Sequence, residues 1–528
     1  MPSGGHSNLV GIDLGTTLSV IARLDRTGSA VTIPNRRGDP LTPSVVYLDG
    51  TTALVGETAR IAAARDSSKA AVSVKREMGT SLYSRTVDAR RLRPETLSAI
   101  ILRKLKQDAE RRIGPIAKAV ITVPAYFDDT RRKATQDAGR IAGLDVLDII
   151  NEPTAAALSY AAMQAQAGQG SGRLLEIPGE KMTAVVYDLG GGTFDVTVVE
   201  LRSKRFETLA TDGEVQLGGK DWDDRIVRLL AEEFHRQHGV DPTEDLQRRD
   251  ALAGLAEESK KLLSDLETAP IELTYQGHTL ALDLSRAEFE RITSDLLTRT
   301  RVVAKLVVQN QAKLAWEEID RVLLVGGSTR MPMVRRMLRE LTGKEPDDSL
   351  DADQVVAQGA AIHAGILAAK ADDGKLSMPE ELRRELRGVE PIGVNAHSLG
   401  VVAIYGGERI NAVLIPKNTQ LPTAASQIFE TRYASATAIR VKVLEGEAPE
   451  AEHNIQIGEC CIAGLPPGLP QGSPVQVRLA YDPNGRVSVM ALDMTHGRFA
   501  QTEIERQNRL TEEDVRREAA FVDSLDIQ

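Results

Sequence analysis

The stretch that decides the fold is VYDLGGGTFDVTVVEL at residues 186–201, in which three consecutive glycines separate two apolar runs rich in β-branched residues. Such runs predict two β-strands, with residues 190–192 as the turn between them. A hairpin turn needs only one or two residues with positive φ, so three glycines call for a further reason. The polar neighbours Asp188, Thr193 and Asp195 suggest that this turn also carries chemistry.

A second stretch near the N-terminus, LVGIDLGTTLSVIARL at residues 9–24, repeats the pattern. Asp13 and Gly15 align with Asp188 and Gly190, and in both stretches a strand ends in Asp-Leu-Gly, a turn of small residues follows, and a second strand begins. Repetition of one loop chemistry within a chain predicts an internal duplication of a single β-turn-β unit.

Composition bounds the class of protein. A chain of 528 residues is too long for one core and predicts three or four domain-sized units. The net charge of −10 argues against a general surface for the nucleic-acid backbone. The only cysteines, Cys460 and Cys461, are neighbours and form no disulfide framework. No apolar run reaches the ~20 residues of a membrane span and no signal segment is recognisable, so we expect a cytoplasmic protein.

The chain divides into an α/β part and an all-β part. From residue 9 to about 371, strand and helix patterns alternate, which predicts two similar lobes facing one another, with one long helix over 286–313 in the second. After a charged segment at 372–391, short β-branched runs between Gly/Pro turns predict a separate all-β domain. Thr511 with Asp514 three residues later predicts a capped terminal helix.

The duplicated loops predict a phosphate site. Glycine lets backbone N–H groups face a ligand closely, and two such turns on facing lobes would hold a polyphosphate from both sides. Asp13 and Asp188 would then lie where Mg²⁺ neutralises the phosphates, since this ion keeps most of its waters and needs few carboxylates. The alternative is a pair of tight β-turns with surface acids, which the duplication disfavours.

Two further glycine pairs need separate treatment. LVGGSTR at residues 324–330 predicts a strand, a Gly-Gly turn and a helix start, a natural seat for a nucleotide but weak evidence alone. Gly218-Gly219-Lys220 imitates the end of a P-loop, but Asp221 stands where Ser or Thr is required, so that motif is rejected.

Seven motifs occur in this order between residues 10 and 369: GIDLGTT, VPAYFDDTRR, DAGRIAGL, IINEPTAAALSY, YDLGGGTFDV, LGGKDWDDR and VGGSTRMPMV. Together they closely resemble the ATPase domain of the 70-kDa heat-shock chaperone family of the DnaK type. The resemblance implies an actin-like, two-lobed α/β ATPase domain with ATP or ADP and Mg²⁺ in the cleft, followed by an all-β sandwich domain and one short C-terminal helix.

The resemblance also implies domain boundaries. The nucleotide-binding domain would cover 1–371, with lobe I at about 1–182 plus 354–371 and lobe II at about 183–353. The remaining units would be the interdomain linker at 372–391, the peptide-binding sandwich at 392–506, and a C-terminal helix, a truncated lid, at 507–528.

Roles follow at matching positions. Lys75 would stabilise charge on the γ-phosphate and orient the attacking water, although a lone lysine is ordinarily a solvated surface charge. Asp13, Asp188 and Glu152 would hold the water shell of Mg²⁺, and Asp195 would orient the water or a bound cation, with K⁺ as a candidate. The residues expected to line the nucleotide are Gly15, Thr16, Thr17, Gly190, Gly191, Gly192, Thr193, Gly218, Gly219, Glu257, Lys260, Lys261, Ser264, Gly326, Gly327, Ser328, Arg330 and Asp353.

Some matches are open to a second interpretation. The four residues from Glu257 to Ser264 share one helix face at spacings of three and four, as a merely exposed charged face would. Pro124 and Arg132 match a family relay between cleft and surface. Leu18 replaces the polar or aromatic residue usual in the first loop; because both threonines before it are kept, we expect hydrolysis to persist.

The β domain resembles the family's peptide-binding sandwich in HSLGVVAIYGG, LIPKNTQLPT, SQIFET and IRVKVLEGE. By alignment, Ile404 and Ile439 would line a hydrophobic pocket for an extended peptide, with Phe429 and Val441 beside it. Residues of this kind are also ordinary sandwich-core residues. Arg432 stands where a small or aromatic arch residue is usual, so peptide preference is expected to differ.

Two family features are missing from the sequence. LRGVEPIGV occupies the place of the hydrophobic-acidic linker, and one helix replaces the helical lid, so we expect weak, rapidly exchanging peptide binding. The implied function is an ATP-hydrolysing chaperone-like protein whose partners are unfolded or extended polypeptides, a J-domain co-chaperone and a nucleotide-exchange factor, without nucleic acid or membrane. The alternatives are a nucleotide-gated scaffold or co-chaperone with little ATP turnover, and an actin-fold metabolite kinase, for which we find no spare acid as general base.

Overall fold

The computed structural model of the protein describes residues 8–167, 175, 181–371, 378–465, 467–482, 486–504 and 510–528. Residues 372–377 of the predicted linker lie outside this part of the chain.

The first lobe opens with the N-terminal hairpin. Its elements are β1 (Asn8–Asp13), β2 (Leu18–Leu24), β3 (Ala30–Thr32), β4 (Thr42–Pro43), β5 (Val46–Asp49), β6 (Thr52–Val55), α1 (Glu57–Ala63), β7 (Ala70–Ala71), α2 (Pro94–Ile113), β8 (Ile116–Val123), α3 (Asp129–Ile141), β9 (Asp145–Asn151) and α4 (Glu152–Ala167). The main sheet has the order β3-β2-β1-β8-β9. Helix α2 ends at Gly114, which takes a φ of 83° that other residues rarely adopt.

The second lobe repeats the plan. Its elements are β10 (Met182–Leu189), β11 (Phe194–Arg202), β12 (Arg205–Glu214), α5 (Gly219–His238), α6 (Leu246–Asp265), β13 (Thr268–Tyr275), β14 (His278–Ser285), α7 (Arg286–Ile292), α8 (Ser294–Lys305), β15 (Arg321–Val325) and α9 (Pro332–Thr342). Strand β10 pairs antiparallel with β11 and parallel with β15, just as β1 pairs antiparallel with β2 and parallel with β8. This shared pairing is the structural form of the duplication.

Helix α10 (Val355–Ala371) returns to the first lobe and packs on β1 and α4. Its small residues allow close approach, because a Cβ on Gly11 of β1 would lie only 2.0 Å from the backbone nitrogen of Ala361. A Cβ on Gly359 would likewise lie 1.8 Å from the carbonyl oxygen of Ala155 in α4. Helix α10 therefore packs between the central strand β1 and helix α4, which begins at Glu152.

The prediction of one long helix over 286–313 is wrong. The segment breaks between α7 and α8 at Thr293, whose backbone leaves the helical region at φ −114° and ψ 7° and whose hydroxyl donates to the carbonyl of Phe289 at 2.7 Å. It then widens into a π-helical stretch, Leu306–Gln311, before Lys313 at φ 57° ends it. Threonine hydrogen bonding to the preceding turn competes with helix continuation.

The described part of the charged segment, residues 378–392, forms a helix and a strand. Helix α11 (Glu380–Arg387) buries Leu382 and Leu386 in the core beneath α10. Strand β16 (Glu390–Ile392) then pairs in parallel with β12, so the segment completes the sheet β15-β10-β11-β12-β16 of the second lobe. The domain boundaries themselves stay predictions.

The predicted all-β domain is a sandwich of two four-stranded antiparallel sheets. Its strands are β17 (Leu399–Tyr405), β18 (Glu408–Ile415), β19 (Thr423–Glu430), β20 (Ala438–Glu445), β21 (Ile455–Ala463), β22 (Pro474–Tyr481), β23 (Val487–Asp493) and β24 (Phe499–Glu503). The sheet orders are β18-β17-β20-β21 and β19-β22-β23-β24. One apolar core between them includes Leu399, Val443, Leu479 and Val489. The two-lobed α/β domain followed by a β-sandwich is confirmed.

The terminal helix α12 (Glu512–Asp523) forms with the predicted capping box, in which Thr511 and Asp514 satisfy each other's backbone N–H groups. It packs on α2 and α3, with Val515 and Val522 in the core of the first lobe. Strand β25 (Asp526–Ile527) then adds in parallel to β6. The segment predicted to be a truncated lid therefore packs, over its described residues 510–528, on the first lobe. Within the described ranges, no helix is both long and apolar enough to span a membrane.

Candidate nucleotide site between the lobes

The two duplicated loops meet at the centre of the cleft. A Cβ on Gly191 would lie 2.0 Å from the Thr17 hydroxyl oxygen, and a Cβ on Gly192 would lie 2.6 Å from Cγ2 of Thr16. Residues 190–192 have no positive φ, so turn geometry is not what requires glycine here. Gly191 and Gly192 are needed because the opposite loop approaches too closely for a side chain, whereas a Cβ on Gly190 would meet nothing nearer than 3.6 Å.

Four carboxylates converge beside these loops. Glu152, Asp188 and Asp195 are buried, and Asp13 is half-buried at the end of β1. Thr122 of β8 donates to the Asp13 carboxylate at 2.9 Å, and the backbone N–H of Tyr126 donates to that of Asp195 at 3.1 Å. The four acids lie near the ends of four different elements, β1, α4, β10 and β11.

Burial sets the protonation of this cluster. It raises the pKa of Asp195 to about 8, with added repulsion from Glu152, and lifts the pKa of Asp188 well above its usual range. Burial also raises the pKa of Asp13 and takes that of Glu152 to about 7, although the ammonium of Lys75 opposes both shifts. A cation bound among these buried carboxylates would reduce the repulsion between them, so the cluster suits a cation.

Lys75 is a buried cleft residue rather than a surface charge. It is 6% exposed, and its Nζ lies 2.5 Å from the Glu152 carboxylate. Burial lowers the pKa of Lys75, but attraction to Glu152 and Asp13 outweighs it and the net shift is upward, so the side chain stays cationic. The residue sits in a 3₁₀ turn, Val74–Glu77, entered through Ser73 at φ 54°.

The donor set fits a hydrated magnesium ion. Within the described part of the chain, no three His, Cys, Asp or Glu side chains converge closely enough to ligate a metal directly. Mg²⁺ retains several waters and binds through few carboxylates, which is the arrangement that Asp13, Glu152 and Asp188 offer. The glycine-rich loops beside these acids offer backbone N–H groups, which suit the phosphates that accompany a bound Mg²⁺.

The third loop joins the same cluster. Gly326, at φ 82°, packs so closely that a Cβ would lie 2.4 Å from the carbonyl oxygen of Leu189. Ser328 donates to the carbonyl of Gly190 at 2.9 Å. Arg330 pairs with Asp353 at 2.5 Å, and a Cβ on Gly327 would lie 3.1 Å from that carboxylate. The structure therefore places the predicted residues of this loop against the second duplicated loop, residues 190–193, the proposed second phosphate loop.

The residues predicted on α6 divide between two environments. Lys261 pairs with Glu257 at 2.5 Å on the open side of the helix. Lys260 is buried instead, and its Nζ lies 2.7 Å from the Asp223 carboxylate and 3.0 Å from the carbonyl oxygen of Gly219. The Ser264 hydroxyl donates to its own helix at the carbonyl of Lys260. Only part of the predicted face is thus open to a ligand.

Comparison with known proteins decides the family. The Hsp70 protein family model matches residues 9–91 and 83–523, nearly the whole chain. The chain belongs to the Hsp70 family. Chaperone protein DnaK of Thermotoga neapolitana is 40% identical over 519 residues, which cover 96% of this chain and 82% of that protein. The DnaK proteins of Thermotoga petrophila and Thermosipho melanesiensis are also 40% identical, over 519 and 516 residues, with the same shares covered.

Hsp70 proteins of the DnaK type are ATPases that use ATP, ADP and Mg²⁺, so the family accounts for the chemistry of the cleft. In this Hsp70 chain the proposed relay residue Arg132 donates to the side-chain oxygen of Asn151 and to the carbonyl of Ile149, just before Glu152. These contacts join α3 to the end of β9, and the relay role of Pro124 and Arg132 stays a prediction.

Sequence reasoning missed three polar residues of the site. Thr122 positions Asp13, and its signal was a polar residue at the end of the otherwise apolar strand VITVP. Arg76 of the first lobe pairs with Asp221 of the second at 2.8 Å. Asp221 stands out in the sequence, because it is the residue that excludes a P-loop. The sequence alone cannot show with which arginine it forms an ion pair.

The four predicted peptide-pocket residues of the sandwich are not equivalent. Val441 is buried in the core, and Phe429 and Ile439 are half-buried against it. Ile404 is 45% exposed at the end of β17. Arg432 stacks over the ring of the exposed Tyr433 at 5.2 Å.

Proposed function

We propose that this Hsp70 protein hydrolyses ATP with Mg²⁺ in the cleft between its lobes and couples that reaction to binding extended, apolar peptide segments. One observation carries the proposal above the others: the two glycine loops touch across the cleft, with Lys75 and three of the four carboxylates buried beside them. A surface pair of β-turns would leave these charges in water.

Each residue has a proposed task. Backbone N–H groups of the loops at 15–17 and 190–193 bind the phosphates, and Asp13, Glu152 and Asp188 hold a hydrated Mg²⁺. When bound, this ion neutralises phosphate charge. Lys75 stabilises negative charge on the γ-phosphate, and Asp195, held by the N–H of Tyr126, orients the attacking water or a monovalent cation.

The peptide part of the proposal concerns kinetics. Because α12 packs on the first lobe, fewer contacts have to break before a peptide leaves the sandwich, and we expect fast exchange. The partners proposed are unfolded polypeptides, a J-domain co-chaperone and a nucleotide-exchange factor. Peptide dissociation as slow as that of a lidded relative contradicts this part while leaving the ATPase proposal standing.

The deciding experiment is single-turnover hydrolysis of bound ATP by wild type, Lys75→Ala and Lys69→Ala. Lys69 is a matched control, because it is a more exposed lysine of the same lobe, paired with Asp49. We expect Lys75→Ala to lose about 100-fold or more in rate, the usual cost of removing a charge-stabilising donor, and Lys69→Ala to retain wild-type rate. Equal rates in all three proteins overturn the catalytic assignment. Tight ATP binding without turnover in wild type favours the nucleotide-gated scaffold.

A further inference from the structure

The strongest unassigned feature is an ion pair that crosses the cleft beside Lys75. Nη2 of Arg76, in the first lobe, donates to both oxygens of the Asp221 carboxylate in the second lobe, at 3.1 and 2.8 Å. The two side chains are only 13% and 24% exposed. A partly buried, charge-assisted contact of this geometry is stronger than an open surface pair.

On one side, the ion pair is attached to the catalytic turn. Arg76 follows Lys75 directly in the 3₁₀ turn Val74–Glu77, so their backbones move together. The aliphatic stem of Arg76 also packs on the opposite loop, since a Cβ on Gly192 would lie 3.0 Å from its Cγ.

On the other side, it is attached to the second phosphate loop. Asp221 lies in the first turn of α5 and accepts from the backbone N–H of Gly218 at 2.8 Å. Within that turn, the N–H of Gly219 donates to Gly190 and the N–H of Lys220 donates to Gly191, both at 2.9 Å. The turn that contains Asp221 therefore packs behind residues 190–192 and is hydrogen-bonded to them.

We propose that Arg76 and Asp221 are positioning residues for the hydrolysis reaction, which fix Lys75 relative to the phosphate loop of the opposite lobe. The proposal rests on the proposed function, because it concerns the same site. Neither residue needs to touch the reacting atoms. Their ion pair fixes the position of the two lobes relative to each other. A misplacement of Lys75 by about 1 Å can cost on the order of 100-fold in rate.

The structure offers a matched control in a second ion pair between the lobes. Arg85 donates to Asp250 of α6 through two nitrogens, at 3.2 and 2.8 Å, with 21% and 28% exposure. Arg85 also donates to the carbonyl of Ser67. This pair joins the same lobes but belongs neither to the Lys75 turn nor to the phosphate loops.

The experiment compares Arg76→Ala, Arg76→Lys, Asp221→Asn, the double variant Arg76→Ala/Asp221→Asn, and Arg85→Ala. Asp221→Asn keeps an oxygen for the N–H of Gly218 and removes only the charge. We expect Arg76→Ala and Asp221→Asn to slow single-turnover hydrolysis by about 10- to 100-fold, with the double variant no slower than either. Arg76→Lys should recover part of the rate, because it keeps the charge without the guanidinium plane. Arg85→Ala should speed release of a fluorescent ADP analogue without slowing hydrolysis.

A second readout needs no nucleotide. In the nucleotide-free protein, hydrogen exchange of the Gly219 and Lys220 amides should rise about tenfold in Arg76→Ala and stay unchanged in Arg85→Ala, because only the first loosens the Asp221 turn. Unchanged exchange together with wild-type hydrolysis in Arg76→Ala overturns the proposal. An Arg76→Ala variant that only releases nucleotide faster, as expected for Arg85→Ala, also overturns it. If Lys75→Ala shows no defect, the proposed function fails, while the exchange result still tests the ion pair.

Discussion

At the residue scale, glycine is required in the second phosphate loop by contact across the cleft. Gly191→Ala adds a Cβ that would lie 2.0 Å from the Thr17 hydroxyl oxygen and 3.0 Å from its Cβ, so the loops have to separate. Because the proposed phosphate site needs both loops at once, we expect affinity for ATP to fall at least about tenfold, the equivalent of 1.4 kcal/mol. Isothermal titration with Mg²⁺ and ATP measures this.

The control for that substitution is Gly254→Ala. Gly254 lies inside α6 with nothing within 4 Å of an added Cβ. It should therefore bind ATP normally and gain roughly 0.5–1 kcal/mol in stability, the usual helix preference for alanine. An ATP affinity equal to wild type in Gly191→Ala means that the loops tolerate separation, and the contact argument fails.

Glu95 links stability to pH. Burial raises the pKa of this α2 carboxyl from 4.5 to about 7, with Asp137 and Glu518 adding to the shift and Arg93 opposing it. The folded state then binds more protons than the unfolded state between pH 4.5 and about 7, so the free energy of unfolding falls as pH rises through that window. Glu95→Gln removes the slope and should be more stable than wild type above it, by about 3 kcal/mol at most.

The measurement is hydrogen exchange of the α2 amides in urea between about pH 5 and 8. Glu380→Gln is the control, because Glu380 also lies in a first helical turn but its side chain is 74% exposed. It should change neither stability nor slope. A wild-type slope retained in Glu95→Gln assigns the titration to another group and contradicts the prediction.

At the element scale, the C-terminal helix is a core component of the first lobe. Thr96 donates to Glu518 at 2.7 Å, Arg140 pairs with Glu512 at 2.6 Å, and Val522 is 1% exposed. Val522→Ala should lower the free energy of unfolding of that lobe by about 2 kcal/mol, since it removes buried methyl groups. Val302→Ala, at a 58% exposed position of α8, is the matched control and should stay near wild type. Urea unfolding compares them; equal midpoints contradict the packing argument.

Local patterns predicted elements well and their partners poorly. The periodicity of α2, its stop at Gly114, and the two Asp-Leu-Gly hairpins all lie in contiguous sequence, so they were predictable. The break at Thr293 depends on one hydroxyl finding a carbonyl. Strand β16 exists because β12 presents a free edge, and α12 lies where α2 and α3 expose apolar surface. The partners of β16 and α12 lie far away in the sequence, so the local pattern does not identify them.

The site divides in the same way. Asp13, Lys75 and Asp188 were predictable because loop chemistry and motif resemblance are written in short segments. Their burial and mutual repulsion were not, since these depend on lobe closure. Arg76 and Asp221 are 145 residues apart, and nothing in either segment identifies the other.

At the scale of the whole molecule, the sandwich is held against the ATPase domain at several points. Strand β16 completes the sheet of the second lobe at the entry to the sandwich. The N–H of Thr211 donates to the Asn418 side chain at 3.0 Å, and the ring of His397 contacts Tyr126 at 4.4 Å between centroids. Burial lowers the pKa of His397, but Glu447 and Glu445 outweigh it, which favours the cationic ring at this interface.

The charged centre of this interface is Lys417, whose Nζ lies 2.7 Å from the Asp212 carboxylate and 4.6 Å from the centroid of Tyr126. Both partners are only 12–13% exposed, so removing one leaves the other buried without its counter-charge, at a cost of about 3–5 kcal/mol. Asp212→Ala and Lys417→Ala should therefore each separate the domains, seen as faster hydrogen exchange at Thr211 and a larger radius of gyration.

A double variant separates the contribution of the Asp212–Lys417 ion pair to docking from that of the other interface contacts. Asp212→Asn/Lys417→Met removes both charges together, so no uncompensated ion remains, and much of the docking should return. Arg409→Ala breaks an exposed ion pair of the sandwich, 51% and 56% exposed, and should change nothing. If Lys417→Ala behaves like Arg409→Ala, strand β16 and the His397 contact are sufficient to hold the sandwich in place. In that case the buried ion pair sets only the register of docking, because its desolvation cancels its attraction.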